Sequence, residues 1–455
     1  MNVIVVGLGK VGILLTGLLS DEGHSVTVID TQSKLVESVV NDYDVMGVSG
    51  NGATAETLNE AGVSQCDVFI AVTESDELNI MCCVIASKLG AKHTVSRVRN
   101  TEYSMQIPFM RDSLGLGLVI NPDFEAADEI ARIIEFPAAT KIETFSKGRI
   151  ELAEIIVTKE SSLVGVRLCD LRKTFNTAML VCAVQRGDEV IIPSGSFVIE
   201  EGDKIHFTAS KLDLPKVFKT IGMSKKKIRS VLIIGGSRTA YYLARHLLKS
   251  GIDVKIIEND DERARLLEEG LKGATIINGD GTDSEVLIEE GLEGYDATIA
   301  LTEIDEENII FSVFADKNGV GKTVCKVNRE VFVSMMPSVL EGCSVITPKS
   351  ITSSIILRFV RSIANADGSN IEKLYRIIEG KAEALEFHAA ENCKLIDLCL
   401  KDCKLKPNII IACISRKGKV IIPDGLTSIQ KGDSVIVITA GQAITSLNDI
   451  LQTND

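Results

Sequence analysis

The stretch Val3-Ile4-Val5-Val6-Gly7-Leu8-Gly9-Lys10-Val11-Gly12 places three glycines between an apolar strand and an apolar helix that continues to Leu19. In this GxGxxG pattern, the first glycine permits a tight turn and the second lets the backbone approach a pyrophosphate group. The third glycine lets the helix pack closely on the strand, so that an anion can rest on the helix N-terminus. An ordinary tight turn would use the same glycines, so the surrounding sequence has to decide.

Polar residues at the ends of other strands support a dinucleotide site. Asp30 ends the second apolar run, about twenty residues after the glycines, where a carboxylate is expected to bind the ribose hydroxyls. A carboxylate there disfavours a 2′-phosphate, so NAD is favoured over NADP. The alternative role for Asp30 is that of an N-cap for the next helix. Thr73 and Glu74 follow the fourth strand, beside the crevice where such sheets bind ligands.

Two charged residues near the same edge have two interpretations each. Arg97 ends the fifth strand, where its guanidinium could clamp a phosphate or form an exposed ion pair. Asp76 is either the N-cap of a helix from Glu77 to Leu89 or a part of the site. Both alternatives stay open from the sequence.

The chain repeats itself. Val231-Leu232-Ile233-Ile234-Gly235 matches the first strand and glycine, and Glu258 matches Asp30, each 228 residues further on. Ala300-Leu301-Thr302-Glu303-Ile304-Asp305-Glu306 matches Ala71-Val72-Thr73-Glu74-Ser75-Asp76-Glu77. Since the order of the matches is kept over half the chain, we interpret the protein as two tandem copies of one unit.

Each copy has an α/β part and a smaller part. In the first copy, near-continuous apolar strands at 2–6, 25–29, 44–48, 68–72, 94–98 and 117–120 alternate with helical patterns, which predicts a Rossmann-like doubly wound parallel sheet. The segments around 151–209 and 383–440 are β-rich with tight turns, which predicts small α+β modules. We interpret the basic run Lys225-Lys226-Lys227 as an exposed linker. The predicted domains are 1–140, 141–222, 229–366 and 370–453.

The second copy changes the glycine loop to Gly235-Gly236-Ser237-Arg238-Thr239-Ala240. Ser237 and Ala240 are small replacements for glycine, and Glu258 keeps the carboxylate. Lys326 stands where Arg97 stood, which keeps the charge but loses the planar guanidinium. Arg238 either reaches a phosphate or is solvated. We therefore expect a stronger dinucleotide site in the first copy and a weaker, altered or structural one in the second.

Composition excludes several classes of function. The 455 residues carry a net charge of −14, no Trp and 4% aromatic residues, which argues against a nucleic-acid partner. The 11 cysteines are odd in number and irregularly spaced, as expected for reduced thiols of a cytosolic protein. The N-terminus does not resemble a signal peptide, and no apolar run approaches the roughly 18 residues of a membrane span. Any membrane role is therefore expected to run through a partner.

Catalytic chemistry is missing from the pattern. None of the five histidines lies where the α/β sheets are predicted to bind ligands, and Cys393, Cys399 and Cys403 match no zinc spacing. No Walker-type lysine follows either glycine loop. We therefore predict a nucleotide-responsive protein that is not an enzyme. The alternatives are an NAD-dependent oxidoreductase and a scaffold with vestigial nucleotide sites.

The chain resembles the RCK or KTN regulatory domains of potassium channels and transporters. The resemblance rests on the glycine loop, Asp30, Gly50-Asn51-Gly52-Ala53-Thr54 and the run from Ala71 to Asn79. The small modules look like the companion RCK-C domain, and the tandem order is similar to that of Trk-type potassium uptake systems. The family implies a peripheral cytosolic subunit that docks on a membrane-embedded potassium translocator at the inner face of the cell membrane. It also implies a homo-oligomeric ring whose shape, and thereby transport, responds to bound NAD(H) or ATP/ADP.

Carried over residue by residue, the resemblance implies two nucleotide sites. In the first copy the candidate ligand-binding residues are Gly7, Leu8, Gly9, Lys10, Val11, Gly12, Asp30, Asn51, Thr73, Glu74 and Arg97. In the second copy they are Gly235, Gly236, Ser237, Arg238, Thr239, Glu258, Asp280, Thr302 and Lys326. No metal site and no catalytic residue is predicted.

Overall fold

A computed structural model describes most of the chain, and its segments form two compact units. The first unit combines Met1–Ala131 with Ile228–Val360, and the second combines Arg132–Lys227 with Arg361–Asp455. Like parts of the two copies are therefore grouped together. Lys225 and Lys226 of the predicted linker lie outside the described residues, and the limits of the four predicted domains stay predictions. The described residues are 1–111, 113–146, 148–223, 227–336, 340, 343–366, 371–378, 381–391, 393–442, 444 and 446–452.

The first α/β half is a six-stranded parallel sheet in the order β3-β2-β1-β4-β5-β6. Its strands agree with the predicted ranges to within two residues, because runs of Val and Ile buried on both faces are distinctive of such a sheet. The strands are β1 Asn2–Val6, β2 Ser25–Asp30, β3 Met46–Ser49, β4 Val68–Ala71, β5 His93–Arg97 and β6 Leu118–Ile120. The helices are α1 Lys10–Asp21, α2 Ser33–Asp42, α3 Ala55–Glu60, α4 Asp76–Leu89, α5 Thr101–Met110 and α6 Pro122–Glu135.

The first small module is an antiparallel sheet in the order β10-β9-β11-β8-β7. Gly187 makes the predicted tight turn between β9 and β10 with a φ of +60°. The elements are β7 Lys141–Phe145, β8 Ile150–Ile156, α7 Leu171–Phe175, β9 Leu180–Arg186, β10 Glu189–Ile191, β11 Lys204–Ser210 and α8 Leu214–Thr220.

The second copy repeats both sheets. Its parallel sheet has the order β14-β13-β12-β15-β16-β17, and its antiparallel sheet has the order β18-β19-β22-β20-β21. The α/β strands are β12 Ser230–Ile234, β13 Asp253–Glu258, β14 Thr275–Asn278, β15 Ala297–Ala300, β16 Lys322–Lys326 and β17 Cys343–Ile346. The helices are α9 Arg238–Lys249, α10 Asp261–Gly270, α11 Ser284–Glu289, α12 Asp305–Lys317, α13 Glu330–Met335 and α14 Pro348–Ala366. The small module has β18 Ile371–Ile377, β19 Ala382–His388, β20 Ile409–Arg416, β21 Lys419–Ile421 and β22 Ser434–Ala440.

Within the first unit, the two halves exchange their last helices. Phe124 of α6 packs edge-on against Tyr242 of α9, with ring centroids 5.6 Å apart. In return, Phe359 of α14 lies edge-on to His93 at the start of β5, at 6.3 Å. Each α/β half therefore completes its packing with a helix from the other copy.

Within the second unit, the two small sheets share one hydrophobic core. Phe145, Ile150 and Leu152 of the first module belong to the same buried cluster as Ile436 and Ile438 of the second. The hydroxyl of Thr208 also donates to the carbonyl oxygen of Ala412 at 2.8 Å. The small modules are thus joined through their interiors.

The state of the cysteines and the character of the helices agree with what the sequence predicts. All 11 cysteines are free thiols, and seven of them are buried: Cys66, Cys82, Cys83, Cys182, Cys325, Cys393 and Cys413. Across the described ranges, no helix has both the length and the apolar character needed to cross a membrane.

Replacing Glu151 with Gln should stabilise the protein increasingly as the pH rises. Glu151 in β8 is 2% exposed, and burial raises its pKa to about 7, although the Thr144 hydroxyl bonded to it opposes the rise. The folded protein therefore holds a proton that the unfolded chain releases near pH 4.5. That contribution to stability is full below pH 4.5 and is lost as the pH rises through 7. At pH 8 the Gln variant should be more stable by about 3 kcal/mol.

Urea unfolding of both proteins from pH 4.5 to 8 measures this difference. The matched control is Glu189→Gln, because Glu189 is an exposed carboxyl on β10 of the same sheet. A stability difference between Glu151→Gln and the wild type that does not change with pH would contradict the prediction.

Candidate nucleotide-binding sites

The first glycine loop joins β1 to α1 at the switch point of the sheet, where β1 lies beside β4. Gly7 has a φ of +95°, and a Cβ there would lie 2.8 Å from the amide nitrogen of Thr73. A Cβ on Gly12 would lie 1.9 Å from the carbonyl oxygen of Gly7. By contrast, a Cβ on Gly9 would meet nothing within 4 Å. Gly7 and Gly12 are therefore required by the protein's own packing, whereas Gly9 leaves space above the loop for a ligand.

Asp30 ties the glycine loop to the turn that follows β2. One carboxylate oxygen accepts a hydrogen bond from the amide of Leu8 at 2.8 Å, and the other accepts from the amide of Gln32 at 2.9 Å. Gln32 is the N-cap of α2, so the alternative role of Asp30 as that N-cap is wrong. Each carboxylate oxygen keeps acceptor capacity for a ribose hydroxyl.

A fully buried asparagine in α4 joins the carboxyl ends of β4 and β5. The side chain of Asn79 accepts from the amide of Thr73 at 2.8 Å and from its hydroxyl at 2.7 Å. It also donates to the carbonyl oxygens of Thr73 at 3.1 Å and Arg97 at 2.9 Å. Asn79 is absent from the predicted site residues. Its signal is that asparagine recurs at the same place in the second copy, as Asn308.

In the second copy, Asn308 connects the ends of the two equivalent strands. Asn308 accepts from the amide of Thr302 at 2.9 Å and donates to the carbonyl oxygens of Thr302 at 3.1 Å and Lys326 at 2.9 Å. The equivalent of Asp76 is Asp305, which is 3% exposed. These hydrogen bonds therefore hold Thr302 and Lys326 in the positions that Thr73 and Arg97 occupy in the first half.

Asp76 is not the N-cap of α4. The side chain of Ser75 accepts from the amide of Leu78 at 3.2 Å, so Ser75 is the cap and Asp76 is the first helical residue. The carboxylate of Asp76 instead accepts from the amides of Arg99 at 2.9 Å and Asn100 at 2.7 Å. The interpretation of Asp76 as an N-cap is therefore wrong, and its role is to hold the turn after β5.

The two predicted phosphate-binding cations occupy equivalent places. Arg97 donates to the carbonyl oxygen of Thr73 at 2.6 Å, and the Lys326 ammonium donates to that of Leu301 at 3.4 Å. Burial lowers the pKa of both groups. The buried Nε of Arg97 has no hydrogen-bond partner among the described residues. An anion held at this edge would satisfy that donor.

The second glycine loop loses one apolar side chain and keeps the bond between its backbone and a carboxylate. Gly236 stands where Leu8 stood, and a Cβ there would lie 2.3 Å from the Cδ1 of Leu267. The amide of Gly236 donates to Glu258 at 2.5 Å, as the amide of Leu8 does to Asp30. Ser237 occupies the open position of Gly9, and its hydroxyl caps α9 by accepting from the amide of Ala240 at 3.4 Å.

A cavity of about 260 Å³ opens over this second loop. Most of the predicted residues of the second site line it. Arg263, Glu303 and Glu307 line it as well, although they are not among the predicted site residues. The Arg263 guanidinium lies 3.9 Å from the buried carboxylate of Glu258. Arg263 lies in the first turn of α10, five residues after Glu258, but a lone surface arginine carries no signal of its own. Predicted residues that line the cavity are Gly235, Gly236, Ser237, Glu258, Asp280 and Thr302.

Thr239 does not turn its side chain to the loop. It is 1% exposed, and its hydroxyl donates to Asp123 of the first half at 3.0 Å. Arg238, beside it, is exposed. Neither residue is in the lining of the cavity, and nor is Lys326.

The remaining predicted residues surround the two loops. Leu8 is buried, Val11 is half-buried, and Lys10 and Glu74 are exposed. Asn51 and Asp280 occupy equivalent turns after β3 and β14. The side chain of Asn51 accepts from the amide of Ala53 at 2.9 Å. Asp280 accepts from both the amide and the hydroxyl of Thr282, which lowers its pKa.

Metal ligands are not assembled in the part of the chain that the structure describes. It contains no group of three or more His, Cys, Asp or Glu side chains arranged to hold a metal ion. The geometry at both loops is instead that of a backbone anion site with an adjacent carboxylate.

Models of known protein families match both the α/β parts and the small modules. The family model of the TrkA-N domain matches residues 3–122 and 231–347, and the TrkA-C domain matches residues 152–222 and 385–452. A Trk system potassium uptake protein TrkA homolog of Archaeoglobus fulgidus is 32% identical over 453 residues, covering 99% of this chain and 100% of that protein. The Trk system potassium uptake protein TrkA of Vibrio alginolyticus is 30% identical over 453 residues, covering 98% and 97%.

Solved structures share the fold at low sequence identity. A crystal structure of the GsuK RCK domain matches with a TM-score of 0.62 and 16% identity, covering 97% of this chain and 92% of that one. The GsuK channel bound to NAD matches with a TM-score of 0.63 and 16% identity, covering 97% and 77%. The predicted α/β fold with parallel Rossmann-like sheets is therefore confirmed.

Proposed function

Since this chain belongs to the TrkA family of Trk system potassium uptake proteins, we propose that it is the nucleotide-binding regulatory subunit of a potassium uptake transporter. The observation that carries the proposal is that each glycine loop has a strand-end carboxylate bonded to its backbone. These pairs are Asp30 with Leu8, at 2.8 Å, and Glu258 with Gly236, at 2.5 Å. Such an arrangement binds the ribose and pyrophosphate of a dinucleotide.

NAD(H) is the proposed ligand, with ATP or ADP as the alternative. The fold neighbour bound to NAD supports the first choice, and so does the acidic residue at the end of β2. The ligand-binding residues in the proposal are those predicted from the sequence, with Arg263 added in the second half and the side chain of Thr239 removed. Asn79 and Asn308 position the strand ends.

The partner is a membrane-embedded potassium translocator, on whose cytoplasmic side this chain docks as a ring of copies. The protein is not an enzyme in this proposal. A bound nucleotide shifts the ring between two shapes only by its difference in affinity for them, which is typically about 1–3 kcal/mol per site. The relatives are potassium uptake proteins, which supports a role in that process, and in this proposal the two α/β halves supply the nucleotide sites.

Isothermal titration calorimetry with NAD, NADH, ATP and ADP tests the proposal. We expect the wild type to bind at least one of them, and Asp30→Ala to bind it about 10- to 100-fold more weakly at the first site. The reason is that Asp30 supplies the ribose acceptor and also fixes the loop through Leu8. The matched control is Asp21→Ala, because Asp21 is an exposed carboxyl at the end of α1.

No binding of any of the four nucleotides would overturn the proposal, and so would equal affinities of wild type and Asp30→Ala. Steady oxidation of NADH with a small metabolite would favour an oxidoreductase instead.

A further inference from the structure

The second glycine loop is hydrogen-bonded to the first half of the chain. Thr239 is the second residue of α9, whose N-terminus forms one wall of the second nucleotide site. Its hydroxyl donates to an oxygen of Asp123, near the start of α6, at 3.0 Å. The two residues are 1% and 9% exposed, so the contact is shielded from water. A shielded bond to a carboxylate is stronger than an exposed one, and leaving it unmade is costly.

Asp123 also holds an arginine of the first half. Its other oxygen accepts from the Nε of Arg99 at 2.9 Å. Burial lowers the pKa of Arg99, but the hydrogen bond to Asp123 and the charges of Asp123, Asp76 and Glu303 outweigh burial and raise it. Glu303 lines the second cavity. Arg99 therefore keeps its charge and holds the carboxylate of Asp123 in the position that receives the Thr239 hydroxyl.

The second cavity has an acidic lining. Its described lining contains four carboxylates, those of Glu258, Asp280, Glu303 and Glu307, and a single guanidinium, that of Arg263. Because charges act strongly where water is partly excluded, a phosphate entering this lining meets a net negative field. The backbone amides at the N-terminus of α9 are therefore needed to hold a phosphate there, and their position matters.

The residues that match Thr239, Arg99 and Asp123 in the opposite copies differ in chemistry. The position of Thr239 is occupied in the first loop by Val11, which has no hydroxyl to donate. The positions of Arg99 and Asp123 are occupied in the second half by Asn328 and Lys349. Val11 and Lys349 therefore cannot form the same bond between a hydroxyl and a carboxylate.

We propose that the second nucleotide pocket is a composite site, in which Asp123 and Arg99 of the first half are positioning residues for a ligand that carries phosphate. Asp123 holds the N-terminus of α9 through Thr239, and Arg99 holds Asp123. A nucleotide in the second pocket is thereby linked to residues of the first half. The inference rests on the proposed function, because it presupposes that the second pocket binds a nucleotide.

Calorimetric titration of the full chain with ADP and with NAD tests the inference. Asp30→Ala and Glu258→Ala identify which binding event belongs to which pocket. We expect Asp123→Asn and Arg99→Gln each to weaken binding at the second pocket by about tenfold and to leave the first pocket within about twofold. The matched control is Asp21→Asn, the same change at an exposed carboxylate of α1, which should leave both affinities unchanged.

Two readouts separate positioning from general damage. The double variant Asp123→Asn/Thr239→Val should bind at the second pocket no more weakly than Asp123→Asn alone, because the two residues act through one bond. Asp123→Glu should restore part of the affinity. An equal loss at both pockets, additive effects in the double variant, or a second pocket that binds neither probe would each overturn the inference. If the wild type binds no nucleotide at either pocket, the proposed function fails with it.

Discussion

Replacing Gly12 with valine will destabilise the first α/β half and abolish nucleotide binding at its loop. A Cβ at this position lies 1.9 Å from the carbonyl oxygen of Gly7, and the nearest side-chain atom is the Cγ2 of Val72 at 3.5 Å. Because the first obstacle is main chain, α1 has to move away from β1, which separates the helix N-terminus from the loop. Overpacking of this kind costs typically 1–3 kcal/mol and occasionally more. We expect a loss of about 3 kcal/mol in urea unfolding.

The matched control on the same loop is Gly9→Ala. Gly9 has φ of −71° and ψ of −172°, which any residue can adopt, and nothing lies within 4 Å of its Cβ position. Its stability should therefore stay within about 0.5 kcal/mol of the wild type. Its affinity for nucleotide should still fall, because the methyl group occupies the approach of the pyrophosphate. A Gly12→Val protein as stable as Gly9→Ala would refute the assignment of Gly12 to packing.

Replacing Glu386 with alanine should strongly destabilise the second unit. Glu386 lies in β19 and is 1% exposed. Its carboxylate accepts from the amide of Ser146 at 3.1 Å, from the hydroxyl of Ser146 at 2.8 Å and from the hydroxyl of Ser434. Ser146 belongs to the other small module and has a left-handed φ of +49°, a conformation that these bonds stabilise. Alanine leaves three donors without their acceptor, and we expect a cost of about 3–5 kcal/mol.

Chemical unfolding that follows the β-sheet signal measures this loss. Glu386→Gln keeps an amide oxygen as acceptor and should lose less, and Ser434→Ala removes a single donor and should lose about 1 kcal/mol. A loss below 1 kcal/mol in Glu386→Ala would show that water replaces the carboxylate, and that the two modules do not depend on it.

Local pattern was sufficient for the first glycine loop and its strands. The glycines, the apolar runs and Asp30 lie within a single β-α-β segment, where the requirement for each residue comes from its sequence neighbours. Because the sequence repeats, the same reasoning predicted the role of Glu258 and the second sheet. The strand limits of the first half agree to within two residues for the same reason.

Contacts between distant segments could not be predicted in this way. Asp76 and Ser75 compete for one helix N-cap, and only the position of the turn after β5 decides that Asp76 serves that turn instead. Thr239 belongs to the loop by sequence, but its hydroxyl bonds to Asp123 because α6 crosses to the other half.

The sequence alone determined that the chain holds two copies of a dinucleotide-type α/β half, each followed by a small β-rich module. Periodicity, glycine spacing and the repeat specify these units locally, and a period of two or of 3.6 residues needs no partner to be recognised. The tertiary structure alone decided that like parts pair across the copies and that Thr239 of the second glycine loop bonds to Asp123 of the first half. The physical reason is that the buried faces and hydrogen bonds of each half are completed by segments more than a hundred residues away, whose approach depends on packing as a whole.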